Sequence, residues 1–450
     1  MAAESLDASR AWAPYEPSPA CPWTLARAAH LHRRAGFGAT WGQLRQALSD
    51  GPQKTVDRLL AGQGDVAAFN RGFDQNEQAA VSGGSPEPLR AWWLRRMIQT
   101  PHPLLEKMTL FWHDFISASA AGVGSGSLVR GHIQFLRSAA LGKFPALVAG
   151  VARDPMVLLS LEAKANRKAL PDLNLARQLL RRWTVGPDVC TDRDIRQAAR
   201  AMTGWFVLRD ELRRFDREHD DGEKTVLGKS GRFDDQDVAR LAATHPAAAR
   251  NVVGRLYRWF VDEGDAPDEA VLAPLARSFA EDFDVARLVE TVLRSALFFS
   301  DRSLHRRVKR PTEFAVGLVR ALEGTVPTTP LANDLAATGE NLCHPPTRDG
   351  WEGGRFWINR ATVIARSNLA AAMLAPSGRY EGKIDPAALV RRHGHAQAEP
   401  AGRFLLDLLL QPADDAGKRL LREMPARGDL PDRLRTFAHV IASQPEFQLA

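Results

Sequence analysis

Apolar residues recur every three or four positions along most of this 450-residue sequence. In the stretch PLRAWWLRRMIQ, one helix face carries Leu89, Trp92, Trp93 and Met97. The stretch that begins near residue 103 repeats this spacing and places a further apolar set on one face: Leu105, Met108, Phe111, Trp112 and Phe115. Such spacing predicts amphipathic helices, and few stretches show the alternation that is typical of strands.

Capping residues mark where several of these helices begin. Thr191 and Asp194 are spaced as a capping box, and Pro246 suits the first turn of a helix. Asn359 or Thr362 is predicted to cap another helix that starts near residue 360.

The breaks between the predicted helices are short, so no flexible tether separates independent domains. The stretch at 208–235 is charged and interrupted by Gly, and it predicts an ordered loop or a short hairpin. We therefore predict an all-α, mostly helical fold. It forms a single large globular domain over residues 23–450, in one body or two lobes, after an irregular segment at residues 1–22.

The net charge of +7 comes mainly from Arg, since only ten of the sixty basic residues are Lys. These Arg alternate with Asp and Glu along the helices, as in DEAVLAPLARSFAEDFDVARLVETVLRSALFF. The alternation predicts solvated helix surfaces, and no basic tract or known motif indicates nucleic-acid binding.

Three widely spaced Cys, at positions 21, 190 and 343, do not suggest a disulfide framework or a metal site, and they fit a reducing compartment. The first residues lack the apolar core and the twin Arg of export signals. No apolar run is long enough to span a membrane. We expect a cytoplasmic protein.

The best concentration of titratable groups is His219-Asp220-Asp221-Gly222, with Lys224 close behind. An imidazole beside carboxylates on a Gly-containing loop can bind a divalent cation or perform acid–base catalysis. The same residues suit a tight solvated turn, which we favour. A metal site would require His219 to meet another ligand in space.

His113 lies opposite the apolar stripe of its predicted helix. It can act as a general base or as a metal ligand. We favour a structural role, in which it sits on the helix surface and bonds a neighbouring loop.

The stretch HPPTRDGWEGGRFWIN, residues 344–359, combines two Trp with three Gly and two Pro. The Gly residues allow tight turns, so Trp351 and Trp357 can fold inward. We predict that this loop seals a gap between helices, and it can also line a groove that stacks a sugar ring or a planar ligand.

No nucleophile elbow, P-loop, dinucleotide fingerprint or zinc-helix motif is present, so no complete motif implies a cofactor. For a metal ion, the sequence offers only three candidate ligands: His113, His219 and Asp220.

Several blocks, in order along the chain, resemble a bacterial family known as Domain of Unknown Function 1800. They include AAHLHRRAGFGAT (28–40), PHPLLEKMTLFWHDFISAS (101–119), KRPTEFAVGLVRAL (309–322) and GENLCHPPTRDGWEGGRFWINRATVIARSNLA (339–370). The resemblance covers roughly residue 23 to the last residue and implies no assigned activity. Because relatives are often encoded beside sulfatase-like exported proteins, it implies a sulfatase-like partner.

The chain departs from the family pattern at several polar positions. The family's Phe-Trp-His-x-His has Phe115 as its last residue here, and three Glu of a following helix are replaced by Leu173, Gln178 and Arg181. Hard metal ions need anionic oxygen ligands, so a metal site built on that helix in relatives is altered here.

Two polar residues of that helix, Asn174 and Arg177, match the family pattern and are candidate ligand-binding residues. Arg177 can hold an anion, or it can pair with Glu162 and lock two helices together. We favour the ion pair.

Two functions remain open. The first, which we favour slightly, is a non-catalytic binding or accessory protein. The alternative is a hydrolase, metal-assisted or not, whose pocket would collect the titratable candidates: His113, Glu162, Arg177, His219 and Asp220. Whether the protein is an enzyme, and which cofactor or substrate it uses, stays unknown at this point.

Overall fold

The structure is a computed structural model that describes residues 10–81, 87–264, 267–411 and 414–450, with the backbone alone for 74–81 and 414. Residues 11–24 form an irregular segment. A helical region follows, with these bounds: α1 (Leu25–Ala35), α2 (Trp41–Ala61), α3 (Val66–Val81), α4 (Glu87–Gln99), α5 (Pro103–Ile116), α6 (Gly126–Ala139), α7 (Phe144–Val151) and α8 (Pro155–Ser160).

The middle of the chain contains the strands of the described region. The elements are α9 (Leu173–Arg177), a π-helical stretch (Gln178–Trp183), α10 (Asp192–Ala201), β1 (Trp205–Leu208), β2 (Glu211–Arg214), a 3-10 turn (Asp216–Glu218), β3 (Lys224–Val226), β4 (Lys229–Gly231), α11 (Asp235–Ala243) and α12 (Pro246–Phe260). Trp205 faces Arg214 in one antiparallel pair, and Lys224 faces Gly231 in the other. The charged stretch thus folds into two short hairpins.

Helices continue through the last part of the chain. Their bounds are α13 (Glu269–Phe279), α14 (Val285–Arg294), α15 (Pro311–Ala321), α16 (Thr328–Ala337), α17 (Arg360–Leu374), α18 (Pro386–Arg392), α19 (Ala398–Leu409), α20 (Asp414–Arg422) and α21 (Leu430–Ala442), with 3-10 turns at Gly354–Trp357 and Glu446–Gln448.

The predicted all-α class and the predicted caps are confirmed. Thr191 and Asp194 form the capping box of α10, and Pro246 lies in the first turn of α12. Of the two candidates for α17, Asn359 is the cap, and Thr362 completes the capping box. Because each cap satisfies backbone N–H groups that have no partner within the helix, local sequence decides where these helices begin.

One hydrophobic core cluster collects side chains from Ala11 to Phe447. Its largest members include Trp112 of α5 and Trp183 of the π-helical stretch. The indole N–H of Trp112 donates to the carbonyl of Ala140 at 2.9 Å, and that of Trp183 donates to the carbonyl of Ile116 at 3.3 Å. These rings therefore add apolar area to the core without leaving their N–H groups unpaired.

A buried carboxylate joins α4, α5 and α6. Glu106 Oε1 accepts hydrogen bonds from Arg96 Nε and Arg137 Nε, both at 2.7 Å, and Oε2 accepts one from Trp93 Nε1 at 3.0 Å. Burial raises the pKa of Glu106, but the two guanidinium groups outweigh this effect, so the pKa is lowered overall. The ionised carboxylate thus balances two buried cations.

We expect Glu106→Ala to lower the free energy of unfolding by about 3–5 kcal/mol, because it removes the carboxylate that balances the buried charges of Arg96 and Arg137. Glu269→Ala is the matched control, since Glu269 pairs with Arg250 on the solvated surface. Its effect should be much smaller. Urea unfolding measures both, and equal losses would contradict the assigned role of Glu106.

Candidate functional site

A cleft of about 1190 Å³ lies where the loop at 344–359 meets α5, α12 and the segment before α15. The cleft is at least as large as the pockets that bind drug-sized ligands. Carboxylates from five residues line it: Asp114, Asp262, Glu263, Asp349 and Glu352. Seven arginines outnumber them: Arg182, Arg255, Arg258, Arg306, Arg307, Arg310 and Arg355.

Two residues of α5 and one that caps its end hold the loop in place. His113 Nε2 accepts a hydrogen bond from the Cys343 N–H at 3.1 Å, at the start of the loop. Gly350 has a φ of 84°, and a Cβ there would lie 2.7 Å from Ser117 Oγ, so only glycine allows this approach. The next residue, Trp351, donates its N–H to Asp114 Oδ1 at 3.3 Å.

The two tryptophans of the loop fold inward, as predicted. Trp351 and Trp357 are only 8% and 5% exposed. With Trp259 of α12 they surround the guanidinium of Arg310, whose Cζ lies 5.2 to 5.4 Å from the three ring centroids. A cation over the face of an indole ring is attracted by the ring quadrupole. The loop therefore forms one wall of the cleft and fixes the position of a buried arginine.

Carboxylates complete the environment of Arg310. Its Nε donates to Glu340 Oε1 at 2.6 Å, and its Nη1 lies 3.4 Å from Asp114 Oδ2. Burial lowers the pKa of Arg310, but Glu340 and Asp114 more than offset this effect, so the pKa is raised overall. The side chain is a permanent cation at the cleft.

A second group of buried charges lies around Glu313 of α15. Arg307 and Lys107 both donate to its Oε1. Burial by itself raises the pKa of Glu313. The two cations lower this pKa by more than burial raises it, so the pKa is lowered overall and the carboxyl is ionised. Burial lowers the pKa of Lys107 to about 7 despite its contact with Glu313. Cations thus outnumber carboxylates within this group as well.

Several N–H groups of the cleft lack an acceptor. Arg182 Nε, Trp259 Nε1, Arg307 Nε and Arg310 Nη2 are buried, and none bonds an acceptor in the part of the chain that the structure describes. All four residues line the same cleft. Each of these atoms is occluded by the surrounding protein, and Arg182 Nε lies 3.7 Å from Asp349 Oδ1. The three arginines among these residues therefore add positive charge beside the cleft, but these N–H groups do not face its open space.

Three of the arginines are neighbours on one side of the cleft. Arg255 stacks 4.7 Å from the ring centroid of Phe115, and its Nε donates to Asn251. Burial lowers the pKa of Arg255 to about 9, with a further lowering by Arg182 and a smaller one by Arg258. Repulsion between like charges is relieved when an anion binds between them.

His113 has the loop contact that its structural interpretation predicts, but its predicted surface position is wrong. The side chain is fully buried between Trp93 and Trp351, with ring centroids at 5.2 and 5.6 Å. Burial, and next to it the proximity of His132, lowers the pKa of His113 well below its ordinary value. The prediction failed because the loop covers the polar face of α5.

His219 and Asp220 lie away from the cleft, beside the end of α10. His219 Nδ1 bonds the carbonyl of Thr203 at 3.0 Å, and Asp220 pairs with Arg200 at 2.7 Å. The hydrogen bond from Arg200 is the main reason why the pKa of Asp220 is lowered. Lys224 is buried and donates to the carbonyls of residues 220 and 222.

Glu162 is 82% exposed and lies 3.9 Å from Arg348, while Arg177 is exposed on α9. The predicted ion pair between Glu162 and Arg177 is therefore wrong, because the two side chains point into solvent instead of toward each other's helix. Asn174 Nδ2 donates to the carbonyl of Leu161 at 3.2 Å, which connects α9 to the end of α8.

Of the site residues predicted from the sequence, only Trp351 and Trp357 line the cleft. The others lie outside the cleft lining, and their catalytic and ligand-binding roles stay predictions. In the described residues, no group of three or more His, Cys, Asp or Glu is placed to hold a metal ion.

The sequence analysis missed the arginines of the cleft. It assigned Arg to solvated helix surfaces, yet Arg307 and Arg310 are 2% and 3% exposed. The run HRRVKR at 305–310, directly before α15, was the available signal, and it contradicts the statement that no basic tract occurs. Helical periodicity did not identify Arg306, Arg307 and Arg310 because they lie in the segment before α15, outside the helices.

The fold and the cleft define an all-helical protein with an arginine-lined cleft. The family described as "Protein of unknown function (DUF1800)" matches residues 30–449, and the chain belongs to that family. No curated protein and no solved structure matches it. Within the described residues, no helix has the length and apolar character needed to cross a membrane.

We expect His113 to make the fold sensitive to acid. In the unfolded chain His113 takes up a proton near pH 6.5, but in the folded protein its lowered pKa keeps it neutral. Its contribution is therefore full above pH 6.5 and is lost as the pH falls toward the folded-state pKa. His113→Gln keeps an acceptor for Cys343 and removes the titration. Between pH 7 and pH 5, the free energy of unfolding of this variant should fall by roughly 1–2 kcal/mol less than that of the unchanged protein. Urea unfolding at several pH values measures this, and parallel pH profiles would contradict it.

Proposed function

We propose that the arginine-lined cleft binds a ligand that carries carboxylate, phosphate or sulfate groups, and that the protein works as a binding or accessory protein. The observation that carries this proposal is the excess of cations in the cleft, which is lined by seven arginines and by only five carboxylates. A ligand with several anionic oxygens accepts hydrogen bonds from the accessible guanidinium groups and balances this excess.

Charge and geometry support an anion in preference to a neutral ligand. Guanidinium groups form paired hydrogen bonds with carboxylate and phosphate oxygens. Low-dielectric walls such as Trp259 and Phe115 strengthen these interactions, because they exclude water from one side of the cations.

Trp351 and Trp357 take a supporting role in this proposal. Little of either ring is exposed, so little area remains to stack a sugar or a planar ligand. Their faces contact Arg310, and they hold its guanidinium group beside the cleft.

The alternative, a hydrolase with a pocket around His113, Glu162, Arg177 and His219, has no observation of its own in its favour. None of these four side chains lines the cleft. We therefore prefer binding without catalysis.

We propose that the protein works in the bacterial cytoplasm, where its three free thiols would stay reduced. A sulfatase-like partner stays a prediction. We also keep the prediction that nucleic acid is not the ligand.

Inositol hexakisphosphate is a suitable general polyanion probe for this proposal, with neutral inositol as its control. We expect calorimetry to show binding of the first and not of the second, with an affinity that falls as salt is added. Arg255→Ala combined with Arg258→Ala should weaken binding at least about tenfold, because two charge-assisted hydrogen bonds are lost.

Arg250→Ala is the matched control, because Arg250 lies on the same helix but pairs with Glu269 outside the cleft. Its affinity should stay near that of the unchanged protein. Equal losses in both variants, or no binding by the unchanged protein, would contradict the proposal.

A further inference from the structure

We infer that the occupant of the cleft is an acidic segment of a partner protein that also carries an aromatic or aliphatic side chain. This inference rests on the proposed function, because it names the class of ligand for the same cleft.

An exposed apolar side chain lies in the cleft itself. Phe356 is 68% exposed although it lines the cleft. The helix that follows, α17, exposes Val363 and Ile364 in its first two turns, at 41% and 61%. Large apolar side chains exposed within one short segment are typical of surfaces that contact another protein.

Basic side chains accompany these apolar ones. Arg355 and Arg360 are exposed on either side of Phe356, and neither forms an ion pair with another described residue. The segment therefore offers apolar area and unpaired positive charge together. The complementary ligand is acidic and apolar, as electrostatic complementarity at interfaces requires.

The mixed charge of the cleft favours a polypeptide over a uniform polyanion such as a sulfated saccharide. Asp349 and Glu352 lie among the arginines and are exposed, and Asp349 is 3.7 Å from Arg182, so a ligand in the cleft meets both signs of charge. A peptide supplies backbone N–H groups to them while its Asp and Glu side chains pair with the arginines. A uniform polyanion has fewer hydrogen-bond donors than a peptide with which to pair these carboxylates.

Short synthetic peptides test this inference by fluorescence polarisation. The first contains Asp and Glu with one Phe and one Leu. The second has Ser in place of Phe and Leu, and the third has Lys in place of Asp and Glu. We expect the first to bind, the second to bind at least about tenfold more weakly, and the third not to bind.

Variants of the protein separate the apolar contact from anion binding. Phe356→Ser should weaken binding of the first peptide about tenfold, but binding of inositol hexakisphosphate, which has no apolar side chain to contact Phe356, by no more than about twofold. Leu170→Ser is the matched control, since Leu170 is 79% exposed but lies outside the cleft, and it should change neither affinity.

Three results would overturn the inference: equal binding of the first two peptides, full peptide binding by Phe356→Ser, or a sulfated oligosaccharide that binds more tightly than the first peptide. In each case, retained binding of inositol hexakisphosphate leaves the proposed function standing. Loss of that binding as well overturns both.

Discussion

The placement of the Arg310 guanidinium between three indole rings and the Glu340 carboxylate is the contact on which the cleft depends. A buried cation is costly unless opposite charge and aromatic faces replace its water. Trp259 comes from α12, and the two other rings come from the loop at 344–359. The cation thus joins elements that lie far apart in the sequence, and the shape of the cleft follows from this junction.

The loop reaches Arg310 because side chains at α5 bind the loop and fix its course. His113 accepts a hydrogen bond from the N–H of Cys343, directly before the loop. Gly350 packs against the end of α5, and Asp114 accepts a hydrogen bond from the N–H of Trp351. His113 and Asp114 lie on the polar face of α5, which the loop covers, and Ser117 caps the helix. The face on which the sequence predicts a loop contact for His113 thereby supports the cleft wall.

Local sequence signals predict the helical class. Most of the site depends on contacts between distant parts of the chain, which the sequence alone does not show. Capping by Thr191 and Asn359, the first-turn proline of α12 and the inward turn of Trp351 all follow from nearby residues. The burial of Arg310 does not, because it depends on rings and a carboxylate from other parts of the chain. The Arg177–Glu162 pair fails for the related reason that helix spacing alone does not tell which way two exposed side chains point.

The excess of guanidinium groups in the cleft should bind anionic oxygens. Anomalous diffraction from a crystal soaked in selenate can show this, since selenium marks the position of the bound anion. We predict a peak in the cleft, with selenate oxygens about 3 Å from the guanidinium groups of Arg255 and Arg258. Peaks confined to the outer surface of the protein, with the cleft free of selenium, would contradict the account.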